Sequence, residues 1–260
     1  MILPILYRDD HLIAIDKPPG LLVHRSDIDR HETRFAVQLL RDQIGRRVQP
    51  VHRLDKGTSG VLLFAFDPDI ARTMGRQFEN GEVEKTYLAV VRGWPPEAAQ
   101  EFCVIDHALS RQYDDYGRSL RTAEAQPAVT RYKRLATTEL PVAVERYPTA
   151  RYALVALEPL TGRHHQLRRH MKHISHPIIG DATHGKGIHN RFFQQAFGCQ
   201  RLLLACVRMA FRHPISGEKV GIGRTVQGEF AALLERFGWT ATLPSWPAES
   251  GQPVVSAAPR

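Results

Sequence analysis

One carboxylate stands out by its setting. The run Val51-His52-Arg53-Leu54-Asp55-Lys56-Gly57-Thr58-Ser59-Gly60 places Asp55 after two basic residues and before two hydroxyls, with glycines at 57 and 60 that let the backbone turn sharply. A single carboxylate on a rigid loop suits nucleophilic attack or proton abstraction. On residue types alone the same run reads first as a plain turn. An aspartic-protease reading fails, because that chemistry needs Asp-Thr-Gly twice and the tripeptide occurs nowhere in the chain. A carboxylate in a partly dry pocket needs a cation beside it to stay ionised. A second run, Thr161-Gly162-Arg163-His164-His165-Gln166-Leu167-Arg168-Arg169-His170, is dense in basic side chains. Wound as a helix, Leu167, His170, Met171 and Ile174 share one face and Arg169 and His173 point away. Arg168 falls at the border of that face, where a half-buried charge fits. In Lys85-Thr86-Tyr87-Leu88-Ala89, strand alternation sends Lys85, Tyr87 and Ala89 to one side. The histidines at 164, 165, 170, 173 and 176 invite a metal reading, but they match neither an HExxH helix nor a Cys/His finger. The His-x-Glu and Pro-Cys-x-x-Cys pair of zinc deaminases is absent as well. No metal is expected.

The elements that must hold these residues follow from periodicity and punctuation. Ile5 to Tyr7 and Leu12 to Ile15 read as strands joined by a turn at Arg8-Asp9-Asp10-His11. Lys17-Pro18-Pro19-Gly20 stops the second strand. Thr33 to Ile44 reads as a helix, Val61 to Phe66 as a buried strand, Pro68 to Phe78 as a helix opened by proline, and Lys85 to Arg92 as the next strand. Ser110 to Gln126 is polar and reads as a mobile surface loop carrying Arg111, Arg118 and Arg121. Val129 to Ala136, Arg151 to Leu157 and Leu202 to Phe211 read as strands; His165 to Ile174 and Glu229 to Phe237 read as helices. Strands and helices do not alternate regularly, so an α+β fold is expected rather than a parallel doubly wound sheet. From Pro244 onward Pro, Ser, Ala and Gly dominate, so residues 244 to 260 are expected to be a disordered tail after one domain spanning 1 to 243.

The chain carries 35 Lys plus Arg against 27 acidic residues, a net charge of +8. Of the basic residues 28 are Arg and 7 Lys, a bias that suits phosphate and base contacts and that a GC-rich genome would equally produce. Three cysteines, Cys103, Cys199 and Cys206, form no CxxC pair and fit free thiols in a reducing compartment. No apolar run approaches membrane-spanning length, and Arg8-Asp9-Asp10 comes too early for a signal peptide, so a cytoplasmic protein with no membrane partner is expected.

The Asp55 run resembles the His-Arg-Leu-Asp-x-x-Thr-Ser-Gly motif of the RluA-like family of RNA pseudouridine synthases, with every fixed position matched. Tyr7 to His24 resembles that family's opening Lys-Pro-x-Gly segment, Lys85 to Ala89 its Lys-x-Tyr-x-Ala strand, and Thr161 to His170 its Gly-Arg-x-His-Gln-Leu-Arg-x-His motif. His176-Pro177-Ile178-Ile179-Gly180-Asp181 follows in the family's order, so the likeness covers roughly residues 5 to 215. It implies a long, mixed, mainly antiparallel twisted sheet flanked by helices, two lobes sharing that sheet, and a catalytic cleft across its middle. No separate N-terminal RNA-binding domain is expected, since the opening motif begins almost at Met1. It implies an isomerase that turns uridine into pseudouridine with no cofactor. Asp55 is then the catalytic carboxylate, Tyr87 the ring stacked on the flipped base and a candidate acceptor of its C5 proton, and Arg168 the cation beside Asp55. Arg53 would fill the gap left by the base, with His52, Arg163 and Gln166 as further RNA contacts and Leu203 and Leu204 as apolar packing. Details such as Leu22 to Ser26, Arg168-Arg169-His170, His184-Gly185 and His189-Asn190-Arg191 resemble the members acting on uridine 65 of tRNA, with ribosomal RNA as the alternative substrate. A monomer is expected. A catalytically silent RNA-binding module would be marked by loss of Asp55, Tyr87 or Arg168, and none is lost. One departure is clear: the family's Leu-x-Leu-His-Ala is here Leu202-Leu203-Leu204-Ala205-Cys206, with Ala205 in place of His.

Overall fold

Leu12, Ile13, Ala14 and Ile15 are wholly buried, and fully burying each large side chain among them stabilises the fold by about 1.5–3 kcal/mol. They lie in a computed structural model that describes residues 1–25, 32–97, 101–110 and 124–243. The chain divides into two compact units, the first from Met1–Glu84 and Val207–Arg224, the second from Lys85–Cys206 and the described residues 225–243. Within each unit the strands pair mainly antiparallel and helices flank them, so the α+β class is as expected.

In the first unit, β1 (Ile5–Arg8) and β2 (Leu12–Lys17) form the expected hairpin. Helix α1 (Ala36–Ile44) starts three residues later than the sequence pattern indicates. Phe35 gives it no side-chain cap; instead the first N–H groups, of Ala36 and Val37, donate to the carbonyls of Leu22 and Val23. Then come β3 (Gln49–Pro50), β4 (Ser59–Ala65) and α2 (Pro68–Glu79). Asp67 caps α2 by accepting from the Asp69 N–H at 2.7 Å, and Pro68 opens the helix where a missing N–H costs nothing. Strand β2 lies between β1 and β4, and all seven residues of β4 are buried, which explains its unbroken apolar run.

In the second unit, β5 (Glu84–Arg92, entering from the first unit at Glu84), β6 (Cys103–Asp106), β9 (Val129–Leu140) and β10 (Ala150–Pro159) pair in the order β5-β10-β9-β6. Between β6 and β9, the short strands β7 (Leu109–Ser110) and β8 (Ala125–Gln126) close a separate ladder. They bracket the Arg-rich loop read from the sequence, whose residues 111–123 lie outside the described residues, as does the expected tail. Helices α3 (Gln166–His173) and α4 (Gly187–Phe197) precede β11 (Leu204–Arg212), which continues into the first unit and pairs there with β12 (Lys219–Gly223). Helix α5 (Glu229–Arg236) belongs to the second unit. Phe193, Phe197, Phe237 and Trp239 stack edge to face or tilted along α4 and the end of α5, with successive ring centroids 5.0, 5.1 and 4.9 Å apart. Neither α4 nor β12 was expected from the sequence. Among the described residues no helix is long and apolar enough to cross a membrane.

Candidate active site

The Asp55 loop of the first unit is strapped from beneath. Thr58 N–H donates to the Asp55 carbonyl at 3.0 Å, closing a four-residue turn. The next carbonyl, of Lys56, accepts from Gly20 N–H at 2.8 Å and from Lys17 Nζ at 3.1 Å. Lys17 is fully buried, and its ammonium also donates to the carbonyls of Pro18 at 3.0 Å and Leu21 at 2.7 Å. A buried ammonium survives only when its donors are matched, and three converging carbonyls match them. The Lys-Pro-Pro-Gly turn, read from the sequence as the end of a strand and as part of the family-like opening segment, therefore fixes the backbone that carries Asp55. Gly60, opposite Lys17 in the β2–β4 ladder, has φ +111°, which only glycine adopts freely. Thr58 and Ser59 are buried, so their hydroxyls face the interior rather than offering donors at the surface.

Asp55 itself is half-buried and Leu54 beside it is buried. His52 accepts the Leu63 N–H on Nε2 at 3.1 Å and stacks on Phe78 with centroids 4.7 Å apart. A backbone N–H can only donate, so the neutral His52 ring carries its proton on Nδ1. Where an RNA contact is expected, His52 ties the loop to β4 and α2. Arg53 is exposed. Burial first, and then the Arg53 charge, push the His24 pKa below its ordinary value.

In the second unit, Tyr87 pairs with Leu157 of β10 and is 8% exposed. Lys85, two residues earlier, has its pKa lowered by burial, with Cys206 opposing. Arg168 is more enclosed than the border position implied, at 8% exposure. It forks onto Asp181, Nε to Oδ2 at 2.7 Å and Nη2 to Oδ1 at 2.8 Å. Oδ1 of Asp181 also accepts from the N–H groups of Thr183 and His184, both at 2.9 Å. Burial alone would raise the Asp181 pKa; the Arg168 guanidinium and the two N–H donors outweigh it and hold the carboxyl below its ordinary value. Asp181 is the Arg168 partner that sequence reasoning left without a role, although Gly180-Asp181 stands in the run that follows the Arg168 motif.

Gln166 is placed differently from an RNA contact. Its Oε1 accepts from Thr161 Oγ1 at 2.7 Å and Arg163 N–H at 3.0 Å, while its Nε2 donates to the Val129 carbonyl at 2.9 Å and Thr130 Oγ1 at 3.0 Å. Two donors and two acceptor sites are all an amide has, so Gln166 is a structural staple. The network continues from Thr130 to His170 Nδ1 at 2.9 Å and from His170 Nε2 to the His107 carbonyl at 3.0 Å. Arg163 is exposed, its Nε on the Pro127 carbonyl at 3.1 Å. Leu203 and Leu204 are buried at 0% and 2% exposure, and Leu203 carries backbone bonds to Val90 and Ile179. Ala205 is completely buried, so the place of the family's His is filled by protein. The structure thus groups His52, Arg53 and Asp55 on one loop, and Arg163, Gln166 and Arg168 around the start of α3. Among the described residues no cluster of three or more His, Cys, Asp or Glu is arranged to hold a metal ion.

The chain is similar to known proteins along most of its length. The family model described as RNA pseudouridylate synthase matches residues 11–173. A protein of Vibrio cholerae named tRNA pseudouridine synthase C is 48% identical over 93% of this chain and 98% of its own length. Its namesake from Haemophilus ducreyi is 49% identical over 93% of this chain and 98% of its own. Among solved structures, human RNA pseudouridylate synthase domain containing 4 superposes with a TM-score of 0.68 at 26% identity, covering 90% of this chain and 93% of that one. Human RNA pseudouridylate synthase domain containing 1 gives 0.64 at 25% identity, over 86% and 83%. The chain belongs to the RNA pseudouridylate synthase family, and within it to the RluA-like members.

Proposed function

We propose that this protein isomerises uridine to pseudouridine in tRNA, with uridine 65 as the target and Asp55 as the catalytic carboxylate. The observation that carries most weight is near end-to-end similarity to proteins named tRNA pseudouridine synthase C, 48% identical in the Vibrio cholerae case, with the Asp55 motif intact. The reaction breaks the N1–C1′ bond, turns the freed uracil, joins C5 to C1′, and moves the C5 proton to N1 through solvent or a protein base. Unstacking the base first costs a few kcal/mol. Arg53, exposed beside the Asp55 loop, stacks its guanidinium in the vacated space. Asp55 attacks the ribose or abstracts the proton that begins glycal formation. Either route needs an ionised carboxylate, and Arg168 supplies the cation. Tyr87 stacks on the uracil ring and takes the C5 proton. Leu203 and Leu204 pack near the base, and exposed Arg163 meets the phosphate backbone.

Asp55→Asn is expected to bind a tRNA transcript as tightly as the parent and to form no pseudouridine, losing at least about 10⁴-fold in rate. A fully active Asp55→Asn enzyme would remove the assignment. Mapping pseudouridine in tRNA and in ribosomal RNA from a strain lacking the gene tests the substrate. Loss at tRNA position 65 supports it; an intact position 65 with a lost ribosomal site rejects it.

A further inference from the structure

Asn190 lies in the first turn of α4, an element outside the four sequence motifs. Its side-chain amide grips the turn that carries Asp181 from both sides. Oδ1 accepts the Gly180 N–H at 2.8 Å, and Nδ2 donates to the Asp181 carbonyl at 2.9 Å. The same carbonyl also accepts Gly185 N–H at 3.1 Å. A primary amide bonded to one residue's N–H and the next residue's C=O acts like a neighbouring strand: it fixes the backbone dihedrals between those two groups. Those dihedrals set the direction of the Asp181 Cα–Cβ bond, hence the plane of the carboxylate. Asp181 holds Arg168 by two bonds of 2.7 and 2.8 Å, and a rigid guanidinium fork keeps both only while the carboxylate plane stays aligned. Helix α4 is itself well anchored. Phe193 is fully buried, and His189, one residue before Asn190, meets the buried Tyr152 hydroxyl at 2.8 Å.

We propose that Asn190 is a positioning residue for the reaction, acting through the Gly180–Asp181 turn to hold the Arg168 guanidinium in register. The inference rests on Arg168 serving the chemistry as set out above. It extends the site by a residue that touches neither RNA nor Arg168. A truncated side chain leaves Gly180 N–H and one acceptor site of the Asp181 carbonyl unmatched, and the turn gains freedom just where alignment matters.

The test uses the full-length protein and tRNA transcript, with Asn190→Ala and Asn190→Asp. The second variant keeps the volume and the acceptor for Gly180 N–H but loses the donor to Asp181. Both are expected to lower kcat by about tenfold while KM stays within about twofold, the signature of misplaced machinery rather than lost binding. In the Asp181→Asn background Asn190→Ala should cost little more, because residues acting in series are not additive. Hydrogen exchange at the Arg168 Nε–H, followed by NMR with labelled arginine, should quicken in both variants. Unchanged kcat, a change confined to KM, a loss that simply adds to that of Asp181→Asn, or unaltered Nε–H exchange overturns the proposal. Failure of the functional reading looks different: Asp55→Asn stays active while Nε–H exchange still responds to Asn190, and a role in positioning for catalysis falls with it.

Discussion

Lys17 shows how much a single side chain decides around the candidate site. Desolvating an ammonium costs several kcal/mol, and here the carbonyls of Pro18, Leu21 and Lys56 offset that cost at 2.7–3.1 Å. Lys17→Met keeps the length and removes the donors, leaving the Pro18 and Leu21 carbonyls turned toward an apolar chain while the Lys56 carbonyl keeps the Gly20 N–H. Each unmatched group costs about 1–3 kcal/mol before water or relaxation reclaims part of it, so a net destabilisation of about 3 kcal/mol is expected. Urea unfolding should show a lower midpoint at an unchanged slope. Lys17→Arg should not restore it, since a planar fork does not fit a pocket shaped for three converging oxygens. A Lys17→Met protein as stable as the parent rejects the strap. None of this was legible in the sequence, where a lysine closing an apolar strand reads as its exposed end. Asp55 was legible because its distinguishing neighbours are contiguous. Asp181 was not, because its partner lies 13 residues away and a Gly-Asp pair reads as a turn. Gln166 and His52 were expected to contact RNA through the family resemblance, which carries residue type and order alone; only the fold reveals that the polar groups of Gln166 are already used and that His52 Nε2 is engaged.

At the scale of elements, legibility followed local signals. The β1–β2 hairpin, buried β4 and proline-opened α2 each carry their own punctuation, and each formed within a residue or two of its expected bounds. Helix α4 has Gly185 before it, Gly187 as its first residue and no side-chain cap at Lys186, so the usual start signal is missing and aromatic packing supplies the stability. Strand β12, with glycines at 221 and 223, exists as the partner of β11. Strand β9 runs on to Leu140 through polar Thr137, Thr138 and Glu139, because backbone pairing with β10 outweighs side-chain pattern. Glycine substitutions separate the two kinds of position. A Cβ at Gly180, whose φ is +79°, would lie 1.9 Å from the Arg201 carbonyl oxygen, so Gly180→Ala must displace backbone. It is expected to destabilise by more than about 3 kcal/mol and to lower activity through the Asp181 turn. Gly75, within α2, has nothing within 4 Å of its added Cβ, so Gly75→Ala should stabilise by about 0.5–1 kcal/mol. Thermal midpoints of the two variants moving in the same direction would contradict the structural distinction.

At the scale of the molecule, charge and buried histidines combine to set a pH dependence. The chain is already at +8 with its histidines neutral. Burial is the largest cause lowering the pKa of His24, His170, His176, His184 and His189. Cations add to it: Arg53 near His24, Arg92 near His176 and His189, Arg169 near His170 and His184. Asp181 near His184 and Glu145 near His189 pull the other way without reversing the shift. A histidine in the unfolded chain binds its proton near pH 6.5, whereas these hold theirs only at lower pH. Above that value both states are neutral and the stability is fully present. As pH falls below it the unfolded state takes up protons that the folded state refuses, so stability declines until the folded pKa values are passed. The depressed Asp181 carboxyl adds its own loss only below about pH 4, near the ordinary carboxylate pKa. The thermal midpoint at constant ionic strength should therefore fall steadily between pH 7 and pH 5, in a window where carboxylate titration contributes little. His170→Asn should flatten that slope, since an amide in place of the ring can still accept from Thr130 and donate toward the His107 carbonyl but takes up no proton. A midpoint independent of pH across that interval, or one that rises on acidification, would mean that the buried rings are protonated in the folded protein.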